Sequence, residues 1–202
     1  MSYFYQKLLF ELITFTCMSR ETIPFEEAEK EVELVSERLA LLHLTYAKTI
    51  IDELGEEKGK ELILKTIKRY GKTIGKKRRE EIEEKGMEPT AENFSEGKVL
   101  RIPRFGMHTD LKTNKEGNME LYGCTMGKFW KDEGEEELGR LYCYVDPAKY
   151  MGYNDEYIQI HEKALPAGDG CCVFDVRTST EEEREIFNSE ESDFSEIDEC
   201  LK

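Results

Sequence analysis

The sequence predicts an α+β fold, with N-terminal helices packed on a mostly antiparallel sheet and one further helix beside it. Three observations predict it. Between residues 25 and 85 apolar side chains recur every three or four positions. Between 105 and 177 they mostly alternate with polar ones, in short runs separated by turn residues. Strands and helices do not alternate regularly, as a doubly wound parallel sheet requires. The expected organisation is an N-terminal extension or short helix over 1–22, a single α+β domain over 23–187, and an acidic tail over 188–202.

The elements follow in order. Phe4, Leu8, Leu12 and Phe15 have the spacing of a short amphipathic helix, and Met18 offers an alternative start that would remove residues 1–17. Pro24 with Glu26 and Glu27 opens the first long helix, because proline suits a first turn and acids suit its positive dipole end. Val32, Val35, Leu39, Leu42, Tyr46 and Ile50 form its apolar stripe, read as the inward face. A second helix runs from Glu56 to Lys85, with Leu62, Ile63, Ile67, Tyr70 and Ile74 inward. Its glycine pairs, Gly55/Gly59 and Gly71/Gly75, mark places where another backbone comes close. Gly86 and Pro89 stop this helix.

The second half carries the strands. Phe105 to Leu111 and Met119 to Cys124 form a hairpin around a polar turn over 113–118. Phe129 to Val145 is read as one helix ended by Pro147. Tyr157–Leu165 and Cys171–Arg177 are the remaining strands, joined at Gly168-Asp169-Gly170. His161 falls on the β-strand face of Tyr157 and Gln159, read as solvent-facing, and His43 is read as structural. Thr180 and Glu183 fit a capping box that starts a short helix.

Composition narrows the function classes. The chain has 202 residues, 36% of them charged, and a net charge of −15. No apolar run reaches the roughly 18–20 residues of a membrane span, so no membrane role is expected. Acidity argues against nucleic acid as a partner. The excess is concentrated in 181–202, where ten acids face only Arg184 and Lys202. That segment is read beyond its first helix as solvated, with an acidic interaction tail as the second reading. Ten bases between Lys58 and Arg79 read as a water-facing helix side. Six cysteines without a CxxC pair, and without an export signal, imply a reducing, cytoplasmic setting.

The cysteines also supply the candidate chemistry. Strand parity puts Cys124 on the face of Glu120 and Tyr122, where a carboxylate can take a thiol proton. Arg140, Cys143 and Asp146 are spaced by three on one helical face, and a guanidinium there can hold a substrate carboxylate. The plainer reading is that each free cysteine is a small buried apolar side chain. A metal site built from Cys124, Cys143, Cys172 and His161 is a further reading, with irregular spacing against it.

Three segments, DELGEEKGKELILKTIKRYGKTIGKKRREEIEEKGMEPTAENF (52–94), ELGRLYCYVDPAKYMGYN (137–154) and GDGCCVF (168–174), resemble the L-2-amino-thiazoline-4-carboxylate hydrolase family in order and spacing. The resemblance spans about 25–178. It implies a hydrolase that opens a cyclic isothiourea to N-carbamoyl-L-cysteine, and a fold distantly similar to 4-vinyl-reductase and TRAPP-type domains. The resemblance departs from the family where Thr125 and Asp155 stand in place of its prolines. On this reading Cys124 is the nucleophile or polarising group, Glu120 the base and Cys143 a further catalytic thiol. Arg140 clamps the substrate carboxylate, and Asp146, Asn154 and Cys172 support binding. The partner is a small-molecule substrate. No cofactor is predicted, and a divalent metal and a homodimer are left open. Two other classes remain: a non-catalytic small-molecule sensor of the 4-vinyl-reductase/TRAPP type, and an interaction protein using its charged surfaces.

Overall fold

The computed structural model describes residues 22–202. The expected N-terminal helix and the Met18 start lie outside them. Two long helices come first, α1 (Phe25–Leu54) and α2 (Glu56–Glu84), joined at Gly55, whose φ of +80° suits glycine. A hairpin follows, β1 (Asp110–Thr113) and β2 (Met119–Tyr122). Then come α3 (Thr125–Asp132), a short α4 (Glu136–Gly139), a 3-10 helix (Arg140–Tyr144) and α5 (Val145–Tyr153). Strands β3 (Tyr157–Lys163) and β4 (Cys172–Thr178) and helix α6 (Glu181–Asn188) complete the order. The sheet is antiparallel throughout, in the order β1-β2-β4-β3, so the α+β expectation holds. Among the described residues no helix is long and apolar enough to cross a membrane.

The glycine pattern of α2 explains the central packing. A Cβ on Gly71 would meet the Ala148 side chain and the Lys149 amide, and one on Gly75 would collide with the Lys149 carbonyl and the Tyr153 amide. The α2 and α5 backbones therefore touch, which fixes α5 and every side chain it carries. Ala40, Leu44, Ile63, Ile67, Met126, Trp130, Ala148 and Ile158 form the main core around this contact.

Several sequence expectations are corrected. Half of the stripe assigned to the inside of α1 is outside: Val35 is 64%, Leu42 50% and Tyr46 63% exposed, whereas Leu39 and Ile50 pack against the core. Ser36, Ala40, His43, Leu44 and Ala47 face inward instead, because small side chains let neighbouring helices come close. On α2, Leu62 and Tyr70 are exposed. The expected single helix over 129–145 is broken at Gly134 (φ +68°), and Pro147 lies in the first turn of α5, where a missing N–H costs nothing. The expected strand over 105–111 forms only from Asp110.

The tail is the largest correction. Phe194 and Ile197 are each 3% exposed and Leu201 is 1% exposed, all three within the main core. Helix α6 opens with the expected Thr180–Glu183 capping box. Beyond it, the buried Lys68 ammonium donates to the carbonyls of Ile186 (3.0 Å) and Ser189 (2.6 Å). Glu190 pairs with Lys65 at 3.1 Å and Arg69 at 3.6 Å. Part of the basic side of α2 thus holds the tail rather than facing only water.

Candidate active site

Cys124 follows the hairpin directly. Gly123 turns the chain with a φ of +59°, and Cys124 becomes the N-cap of α3, its Sγ accepting the Gly127 amide at 3.4 Å. Thr125 ties this turn down through its amide to the Met107 carbonyl (2.9 Å) and its hydroxyl to the Gly106 carbonyl (3.0 Å). A proline at 125 could make neither bond. The turn also ends the strand parity that grouped Cys124 with Glu120. Glu120 instead accepts the Tyr122 hydroxyl at 2.8 Å, a bond that pushes the phenol up to about 12.

The charge that reaches Cys124 is that of Asp146. Asp146, in the first turn of α5, acts electrostatically on Cys124, Cys143 and Cys172 together. All three thiols thus lie within reach of the Asp146 charge. Cys172 on β4 accepts the Leu165 amide at 3.4 Å, and Leu165 packs beside Gly127 on the Cys124 turn.

The thiols are held neutral. A helix N-terminus ordinarily favours a thiolate, and the Gly127 and Met126 amides do pull Cys124 down. Burial outweighs them and raises it, and Asp146 adds to the rise. Burial raises Cys143 well above the ordinary thiol range, with Asp146 again contributing. Cys172 is pushed up to about 12, chiefly by burial. Cys124 and Cys143 nonetheless keep some accessible surface, as do the side chains of Asp146 (16%) and Lys149 (13%).

Asp146 has a partner facing each oxygen. Its Oδ1 pairs with Lys149 one turn along α5. Its Oδ2 faces His161 Nε2 at 3.5 Å. The other ring nitrogen, Nδ1, lies 2.8 Å from Asp198 Oδ2, which also accepts the His161 amide at 3.0 Å. His161 is therefore not solvent-facing: its side chain is 1% exposed, and β3 turns its polar face inward because α5 and the tail both supply partners. Sequence reasoning missed Lys149 and Asp198, and named His161 only as a metal ligand. Lys149 had a readable signal in its i, i+3 spacing from Asp146. Asp198 had a fainter one, being flanked by Phe194, Ile197 and Leu201 at helical spacing.

Other predicted residues lie elsewhere. Arg140 lines a cleft of about 510 Å3 with Lys65, Arg69, Tyr144, Glu190 and Asp193, and none of the three thiols lines it. Asn154 ends α5, where its side chain donates to the Pro89 carbonyl at 2.9 Å and accepts the Glu156 amide at 3.0 Å. It ties a loop to a helix end. Among the described residues no three His, Cys, Asp or Glu side chains are placed to hold a metal ion, so the Cys124/Cys143/Cys172/His161 set is not a ligand shell.

Two separate places thus stand as candidate sites, the Asp146 cluster and the Arg140 cleft. A family model described as L-2-amino-thiazoline-4-carboxylic acid hydrolase matches residues 34–176. Cys124, Cys143, Asp146, Lys149, His161 and Cys172 all fall inside that span, whereas one wall of the Arg140 cleft, residues 190–202, falls outside it. Neither the curated proteins nor the solved structures include a match to this chain.

Proposed function

Because the chain belongs to the L-2-amino-thiazoline-4-carboxylic acid hydrolase family, we propose that it hydrolyses a small cyclic isothiourea acid of that type at the Asp146 cluster. The observation that carries this reading is the Asp146–Lys149 pair, part-exposed at the neutral thiols Cys124, Cys143 and Cys172. The substrate bears a carboxylate and an amidine-like carbon between nitrogen and sulfur. Lys149 supplies the cation for the first, a role expected of Arg140 from spacing alone. Asp146 supplies the base for the second, a role expected of Glu120.

In the reaction Asp146 takes a proton from water as the oxygen bonds to the ring carbon, and that proton goes to the ring nitrogen. The carbon–sulfur bond then breaks, its electron pair stays on sulfur, and the hydroxyl proton of the adduct passes to sulfur. One water is consumed and a urea and a free thiol are formed. Cys124 enters as a neutral S–H beside the reacting carbon, not as a standing thiolate, because burial favours its protonated form.

The test is incubation of purified protein with L-2-amino-thiazoline-4-carboxylate, with N-carbamoyl-L-cysteine followed by mass. Product above a no-enzyme blank supports the reading, and its absence with and without added divalent metal removes it. A sensor role has one observation in its favour, the 510 Å3 cleft with Arg140. Saturable binding without product, lost in Arg140→Met, would favour that role.

A further inference from the structure

The tail that follows the family-matched span does more than cover the core. Asp198 is 2% exposed and enters the Asp146 cluster from a segment outside residues 34–176. Its placement is fixed from several sides. Phe194, Ile197 and Leu201 anchor the flanking turns in the core. The Tyr144 hydroxyl donates to the Asp198 carbonyl at 3.4 Å and to that of Ser195 at 3.3 Å. The carboxylate then makes two bonds to one residue, His161, through the backbone amide and ring Nδ1. A carboxylate only accepts, so Nδ1 donates to Asp198, and Nε2, which faces Asp146 Oδ2, can hold that carboxylate only by donating as well. Its second oxygen, Oδ1, is buried without a partner among the described residues. A group retained only for stability would be expected to satisfy both oxygens, since an unpaired buried polar atom is costly.

We infer that Asp198 is a positioning residue of the active site, fixing the orientation of the His161 ring so that its other nitrogen faces Asp146, the group that reacts. This rests on the hydrolase reading for its kinetic consequence, but not for its geometric one. His161 and Asp198 are sealed from the substrate, so they act through Asp146 rather than on the reacting atoms.

Asp198→Asn is the discriminating variant. An amide keeps the size and one oxygen that can still accept from both His161 nitrogens, but it removes the negative charge that the ring N–H faces. The expected result is a fall in kcat of roughly 10–100-fold with KM changed less than about twofold, the usual scale for losing a group that orients a histidine. The melting temperature is measured alongside, since a purely structural role would lower it and spare kcat in the folded fraction. Nitrogen-15 NMR of the His161 ring reads the geometry without any substrate. Wild-type protein should show a protonated Nδ1 in a strong hydrogen bond, and Asp198→Asn should weaken it, since a neutral oxygen replaces a charged one. If wild-type protein turns over no substrate but shows this Nδ1 signal and the variant weakens it, the positioning geometry stands and the hydrolase reading falls. If the wild-type ring is protonated on Nε2 with Nδ1 free, or if Asp198→Asn folds and keeps wild-type kcat, the inference is overturned. The wild-type NMR measurement decides even where the variant does not fold.

Discussion

At the scale of residues, the competition between burial and local dipoles decides the chemistry. Cys124 sits where a helix N-terminus should activate it, yet burial wins and the thiol stays protonated. Alkylation of Cys124 by iodoacetamide at pH 7.5 should therefore be slower than that of a cysteine in a free peptide, measured by peptide mass mapping. A faster rate would restore the thiolate nucleophile. Lys149 and Arg140 make a second contrast. Lys149→Met should raise KM by about tenfold, the scale of one lost charge-assisted contact, while Arg140→Met should leave KM within about twofold. The relation of Cys143 to Asp146 was legible as i, i+3 spacing, and the Asp146 charge does act on that thiol. The pairing with Glu120 was not, because one glycine at positive φ between Tyr122 and Cys124 breaks the parity on which it rested. His161 was misread because alternation gives two faces of a strand but not which face is covered, and here the cover comes from a tail distant in sequence.

At the scale of elements, the glycines of α2 were legible and the face of α1 was not. Glycine pairs on a helix signal close backbone approach, and Gly71 and Gly75 make that contact with α5. Gly75→Ala should destabilise the fold by about 2 kcal/mol through overpacking against backbone that cannot yield, measured by urea unfolding. It should also disturb the site, since α5 carries Asp146 and Lys149. On α1 the apolar stripe was half right: Leu39 and Ile50 pack on the core, but Ser36, Ala40 and Ala47 bury better in a tight helix contact than Val35, Leu42 and Tyr46. The end of α2 carries a pH-sensitive tie. Glu81 is held down at about 2 by its bond to Lys85 and by the Val99 and Lys98 amides. A depressed carboxyl stabilises above its unfolded value and loses that contribution as pH falls. Hydrogen exchange at the Lys98 and Val99 amides should accordingly rise between the ordinary glutamate range and pH 2, and Glu81→Gln should weaken that dependence.

At the scale of the whole molecule, the tail completes the domain. Ten acids in 22 residues read as solvated because composition averages over a segment, whereas three apolar side chains at the right positions are enough to dock it. Burying Phe194, Ile197 and Leu201 is worth on the order of 1.5–3 kcal/mol each before ordering costs. Removing residues 188–202 should lower the melting temperature by about 10 °C or more, and an unchanged value would return the tail to solvent. The same deletion removes Asp198, so stability and turnover should fall together, while Asp198→Asn separates them. Central to the account is the claim that reaction occurs at Asp146 and not in the Arg140 cleft. The most direct measurement is the rate of N-carbamoyl-L-cysteine formation by Asp146→Asn and Arg140→Met against wild type, each confirmed folded. The account predicts loss of about 100-fold or more for Asp146→Asn, the scale of a removed general base, and a near wild-type rate for Arg140→Met. A wild-type rate in Asp146→Asn with loss in Arg140→Met would contradict it and move the reaction to the cleft.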